Sequence, residues 1–197
     1  MNWHHHKFHL LICLLSIAVL WASVLFQYDY DRRQAVGTAE RTVSNLSKAF
    51  EENILGTVRH LDELLITLRS DYPEHKEQIP ALLASYNRHS SNQLIIQLTI
   101  VDAKGMVVYS NLEVPKKPVD LSDREHIRVQ LSNPADFLFI SKPVKGRLSG
   151  KWSIQFTRKL QGPDGALLGV AVLSVDPNYF TRFYQSIDVG KNGVITL

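Results

Sequence analysis

The chain has 197 residues and a net formal charge of +3, enough length for one domain with an appendage. All 19 acidic residues and 21 of the 22 basic ones lie beyond residue 26, so the charges nearly cancel there, form no Lys/Arg-rich block, and lack the footprint of a nucleic-acid binder. The single cysteine, Cys13, excludes an internal disulfide.

Residues 1–7 form an N-terminal segment carrying His4, His5, His6 and Lys7. Consecutive histidines bind metal adventitiously, but so short a tract is a poor specific site, and no metal or cofactor is assigned to it. Residues 8–26 (FHLLICLLSIAVLWASVLF) contain no Asp, Glu, Lys or Arg. Their number is close to the ~20 that a helix needs to cross the hydrocarbon core, and Trp21, Tyr28 and Tyr30 suit the interface. A cleaved signal peptide is the rival, but Ala22-Ser23-Val24 matches the A-x-A cleavage pattern poorly, so an uncleaved anchor is expected. Lys7 flanks one side and Arg32, Arg33 and Arg41 the other. That balance opposes export of the C-terminal part, by a rule that is weak for large translocated domains.

Residues 31–70 read as one long helix. Val43, Leu46, Phe50, Ile54, Leu61, Leu64, Leu65 and Leu68 recur at steps of three and four, without a proline. About forty residues at 1.5 Å each span roughly 60 Å, so the helix is read as a stalk whose near end dimerises and whose far end docks on a sheet. Tyr72-Pro73 stops it, and Ile79 to Tyr86 is expected as a short second helix. Gln93–Val101 reads as a strand with Leu94, Ile96, Leu98 and Ile100 on one face. A turn at Asp102–Gly105 leads to a second strand, Met106–Ser110, and an exposed proline- and lysine-containing loop follows to Val119. Ser122 and Glu125 have the spacing of a capping box opening a helix to about Leu131.

Phe137–Val144 is rich in β-branched and aromatic residues and predicts a third strand. In the next, Trp152, Ile154 and Phe156 alternate with Ser153, Gln155 and Thr157, the period of a half-buried strand. Pro163-Asp164-Gly165 supplies a turn, since proline presets φ and glycine accepts its positive value. Leu167–Val175, apolar on both parities, predicts a strand covered on both faces and central in its sheet. A helix to Tyr184 follows, then a loop, and Val194–Leu197 reads as the opening of another strand that the sequence cuts short. The expected fold is α+β: a membrane helix, a long stalk helix and a five-stranded antiparallel sheet.

This order resembles the extracellular double-Cache sensor module of bacterial receptors, whose lobes are PAS-like, and most of all the sensor regions of membrane diguanylate cyclases and hybrid histidine kinases. The residues that carry the resemblance are Ser122–Glu125, Ile140–Val144, Gly146–Ile154, the glycines of Asp164-Gly165 and Leu168-Gly169, and Val175–Phe180. The resemblance implies a cytoplasmic N-terminus (1–7), a transmembrane helix (8–26), a stalk (31–70), a membrane-distal lobe (71–186) and the truncated start of a second lobe (187–197). It also implies a sensor facing the periplasm from the bacterial inner membrane. Amino-acid-binding members carry Arg-x-Trp-Tyr where this chain reads Asp123-Arg124-Glu125-His126-Ile127; without the Trp and Tyr, a free amino acid fits poorly.

Eight residues are candidates for ligand contact. Asp176 corresponds to the amine-binding Asp of those relatives, yet Asp176-Pro177 is also an N-cap and first-turn pair. Trp152, alternating with Ile154 and Phe156 on one face, reads first as core and second as a ligand platform. Arg158 shares the parity of Ile154 and Phe156, and a charge on an apolar face is paired or near an opening; it either clamps a carboxylate or joins a structural acid. Arg147 sits in a loop over the sheet, a solvated charge or a pocket roof. Arg124, His126, Gln155 and Tyr179 complete the set. Together they suit a small anion such as a carboxylate.

Enzyme signatures are absent: no G-x-S-x-G, no H-E-x-x-H, no phosphate loop, no Gly-Gly-Asp-Glu-Phe element and no kinase core. The leading expectation is therefore the sensory region of a membrane-anchored receptor that binds a small molecule, dimerises through its long helix and passes a shift to an output domain. A membrane-tethered protein-interaction module without a small ligand is the alternative. The two differ in the interior: a filled core with Arg158 paired to an acid for the module, an enclosed polar cavity for the sensor.

Overall fold

No proline precedes Pro73, and the computed structural model accordingly carries one helix, α1, from Trp3 to Asp71. The structure describes residues 3–72, 74, 76–79, 81, 94–112 and 117–185. The apolar stretch and the residues read as a stalk share this helix, and nothing lies within 4 Å of the Cβ positions of Gly37 or Gly56. The chain divides into two units, Met1–Asn53 and Ile54–Leu197. The first is helical, and its apolar stretch is long and apolar enough to cross a membrane, with a mean hydropathy of 2.4 and no burial.

The second unit is built on an antiparallel sheet. Its strands are β1 (Ile95–Asp102), β2 (Val107–Ser110), β3 (Phe139–Ile140), β4 (Val144–Lys145), β5 (Trp152–Gln161) and β6 (Leu167–Val175). They are ordered β2-β1-β6-β5-β3, with β4 also on β5. β6 lies between β1 and β5, as its two-sided apolar sequence requires. The alternation of strand side chains then divides two faces. Leu98, Ile100, Phe156, Leu160, Ala171, Leu173 and Val175 point one way and bury Leu61, Leu64, Leu65 and Leu68 of α1. Each buried leucine contributes roughly 1.5–3 kcal/mol, so this end of α1 is an integral core element. On the other face Val101, Val170 and Val172 meet Leu121 and Ile127, the latter from helix α2 (Glu125–Ser132). Fully buried Gln130 ties α2 to β5 by donating to the carbonyls of Phe137 (3.0 Å) and Thr157 (2.8 Å).

Four local expectations are corrected. The capping box does not form: the helix begins two residues later, with Arg124 at its N-cap position and no side-chain cap, and the Ser122 amide is itself held by Asp120 (2.8 Å). The strand expected over Phe137–Val144 is split into β3 and β4. Between them Pro143 has no N–H to donate, and buried Ser141 places its hydroxyl in the ladder, accepting from the Gln155 amide (2.9 Å). The register of β1 shifts between Ile95 and Gln97, so Ile95 joins the core and Ile96 is only half-buried. The polar side of β5 is not solvated, because Ser153, Gln155 and Thr157 are all buried. Two local expectations match the structure: Gly165 turns with φ 78°, and helix α3 (Pro177–Gln185) follows Asp176. Most of the short helix expected over Ile79–Tyr86, and the whole of 187–197, lie outside the described residues.

Candidate functional site

The face that carries α2 is apolar only over part of its length. Beyond Val101 and Val170 it continues as Gln97 and Thr99 of β1, Ser153, Gln155 and Thr157 of β5, and Ser174 of β6, all buried. Buried polar groups need partners, and these find them within and across the strands, while Thr157 Oγ1 donates to the His126 carbonyl of α2 (3.3 Å). Gln97 Nε2 donates to Thr99 Oγ1 (2.9 Å) and Ser110 Oγ (3.1 Å). Ser174 Oγ donates to Gln155 Oε1 (2.8 Å), whose Nε2 donates to Ser153 Oγ (2.7 Å). The result is a rigid, uncharged polar floor.

A cavity of about 30 Å³ lies over that floor, room for little more than a water molecule. Its apolar wall includes Leu121, Val144, Leu148 and Val172. Buried His126 of α2 also lines it, and its charged edge carries Arg124 at the N-cap of α2, Lys145 of β4 and Arg147 beyond Gly146. His126 is 6% exposed, and its ring makes no hydrogen bond among the described residues. Burial pushes its pKa down to about 4, the Arg124 guanidinium adds to that, and Asp123 opposes it, so the imidazole is neutral at pH 7. Arg147 forks onto Asp123, with Nη1–Oδ1 3.0 Å and Nη2–Oδ2 2.8 Å, and also donates to the Asp120 carbonyl. That hydrogen-bonded pair raises the Arg147 pKa and lowers that of Asp123.

The structure brings four of the eight candidates together: Arg124, His126, Arg147 and Gln155. It places the other four elsewhere. Arg158 lies on the α1 face, where Asp62 takes its Nε and Nη2 and Asp136 its Nη1 (2.8 Å); it is a structural ion pair, and hydrogen bonding to Asp62 raises its pKa. Trp152 is 63% exposed, so it is not core, and it lies outside the lining of this cavity. Asp176 caps α3, its Oδ1 accepting from the Asn178 amide (2.9 Å) while Arg182 holds Oδ2 (3.4 Å). Tyr179 packs against the α1-side core and edge-on to Phe180, 5.5 Å between ring centroids. Sequence reasoning missed Gln97, Thr99 and Ser174. Their signal is present in the chain: the polar positions of β1 and β5 facing the cavity hold Gln, Thr and Ser, whereas solvent-facing strand positions commonly hold charges.

No protein-family model and no curated protein matches the sequence. Among solved structures the chain is similar to the extracellular domain assigned to the histidine kinase rpHK1S-Z16 (28% identity, TM-score 0.58), covering 74% of this chain and 61% of that one. It is similar to the ligand-binding domain of the Campylobacter jejuni chemoreceptor Tlp3 in complex with L-norvaline (15%, TM-score 0.55), covering 73% and 62%. It is also similar to an extracellular ligand-binding receptor from Desulfohalobium retbaense (18%, TM-score 0.53), covering 66% and 24%. The chain thus spans about six-tenths of the first two and a quarter of the third. The first is named as an extracellular domain, and the other two as a ligand-binding domain and a ligand-binding receptor.

Proposed function

From a chain whose fold is that of a Cache-like extracellular sensor domain, we propose the ligand-sensing region of a receptor anchored in the bacterial inner membrane by residues 8–26. The observation that carries this reading is the polar cavity on the sheet face opposite the α1 core. A folded domain gains little from keeping buried amides and hydroxyls there when apolar side chains would pack as well, and a small polar ligand gives them a use. Arg124, Lys145 and Arg147 at the rim favour an anion such as a carboxylate, with Gln155 and neutral His126 supplying hydrogen bonds inside. Binding shifts the sheet against the packed end of α1, and that helix passes the shift toward an output domain of the receptor. The energy available is the ligand's differential affinity for the two states, and a homodimer through the stalk makes the shift readable. The test is a thermal-unfolding screen of the full chain in nanodiscs against small carboxylates and other polar metabolites. A ligand at about a hundredfold over its Kd adds about 2.7 kcal/mol, a rise of several degrees, and Gln155→Leu abolishes it. No response across the panel, or an equal response in Gln155→Leu, refutes the assignment.

A second reading, a membrane-tethered interaction module, draws on a different observation: Arg158 is paired to acids and the cavity holds little more than a water. A ligand response that depends on Gln155 belongs to the sensor alone.

A further inference from the structure

At about 30 Å³ the cavity takes only a few atoms, so a larger ligand that seats on its floor displaces part of what lies above it. The floor is immobile, because its polar groups are buried and bonded within the central strands. The roof is built differently. β4 is two residues long and makes only the pairs Val144–Ser153 and Lys145–Trp152. Ser141-Lys142-Pro143 separates it from β3, with Ser141 still bonded to Gln155 of β5, and the side chain of its pairing partner Trp152 is largely exposed. The loop above it closes on itself, Gly146 N to Lys151 O (2.8 Å) and Gly150 N to Gly146 O (3.0 Å), so it holds its own shape. Gly150 has φ 67° and open space around it. What ties this hairpin down across the cavity is the segment before α2. Arg147 bonds the Asp123 carboxylate and the Asp120 carbonyl, and Arg124 Nη2 donates to the Lys145 carbonyl (3.3 Å).

We propose that residues 144–151 form a lid over the cavity and that the Arg147–Asp123 pair is its latch. This rests on the sensing reading above and adds the control of access to that site. The latch side chains are 38% and 61% exposed. Such a pair is weak and screened by salt, so the lid opens often enough to admit a ligand and closes again without one.

The test needs no ligand. In the full chain in detergent, Cys13→Ser removes the native thiol and Ser174→Cys places one in the cavity floor. Iodoacetamide, small and uncharged, is the probe, and the rate of mass gain under native conditions is the readout. Asp123→Asn and Arg147→Ala each speed labelling about three- to fivefold. Raising the salt from about 0.05 to about 0.5 M speeds the parent by a similar factor and leaves Asp123→Asn unchanged. Arg182→Ala, which breaks the exposed pair to Asp176 instead, leaves the rate as it was. Equal rates in parent and latch variants, or a rise in Arg182→Ala as large as in Asp123→Asn, overturn the proposal. A parent labelling rate that does not rise with salt also overturns the proposal, and that half of the salt series needs no latch variant to fold. If the metabolite screen fails, this assay still reads the lid; if the lid fails, the screen still reads the cavity.

Discussion

Acidification destabilises this fold through His126 before it reaches the carboxylates. The imidazole is buried at the head of α2, facing Gln155 and the lid, with Arg124, Asp123, Lys145 and Arg147 as the charges around it. Burial, with Arg124 assisting, holds its pKa at about 4 against an ordinary 6.5. Because the folded value is the lower one, the unfolded chain takes up the proton first. The stabilisation is complete above pH 6.5 and is lost as pH falls toward 4. At 1.36 kcal/mol per unit the full loss is about 3 kcal/mol, of which about 2 kcal/mol is gone between about pH 7.5 and 5. Asp120 and Asp123 have lowered pKa values, so their losses fall below the ordinary carboxylate range and outside this window. The assay is urea unfolding followed by circular dichroism over that interval, in the parent and in His126→Asn. The parent should lose about 2 kcal/mol and the variant should be nearly flat. Parallel curves would show that His126 protonates freely in the folded chain, and the argument from burial would fail.

Three further outcomes are expected. Asp62→Ala strips Arg158 of two carboxylate bonds at a mostly buried site and costs about 2–3 kcal/mol, whereas Asp62→Leu with Arg158→Met recovers most of it; a double variant no more stable than the single one contradicts the ion-pair account. Gly169→Ala drives a Cβ to 1.9 Å from the Val101 carbonyl in the β1–β6 pair, a backbone clash costing about 2 kcal/mol or more in denaturant unfolding. Asp176→Ala removes a helix cap and costs about 1 kcal/mol, with any ligand response unchanged; loss of that response in a folded Asp176→Ala protein would restore this residue to the site.

The long helix, the apolar stretch within it and the central strand were legible because each is a local pattern: unbroken 3.6-residue periodicity, absence of charge, apolar residues on both parities. Arg158 could be narrowed but not resolved. Its parity put it on the apolar face, but nothing local identified Asp62, 96 residues earlier in the chain, as its partner. Trp152 misled for a related reason. Alternation assigns a side, and a strand's first residue lies where that side runs out of cover. The capping box at Ser122 and Glu125 failed because the Asp120 carboxylate claimed the Ser122 amide, a competing local bond.

The lining of the cavity was half legible. Arg124, His126, Arg147 and Gln155 were found; Gln97, Thr99 and Ser174 were passed over as ordinary strand polar residues. In sequence a glutamine facing solvent and a glutamine facing a closed cavity look alike, and only the strand order sets Gln97, Gln155 and Ser174 on one surface. The chain by itself therefore determined which segments are helix, strand and membrane-length apolar helix, since backbone periodicity and side-chain hydrophobicity act over neighbouring residues. The tertiary structure alone decided that β6 joins two polar half-sites into one floor, that Arg158 is a brace and not a clamp, and that Asp123 meets Arg147 across the cavity. Those are contacts between residues far apart in sequence, and their energies exist only once the sheet has closed.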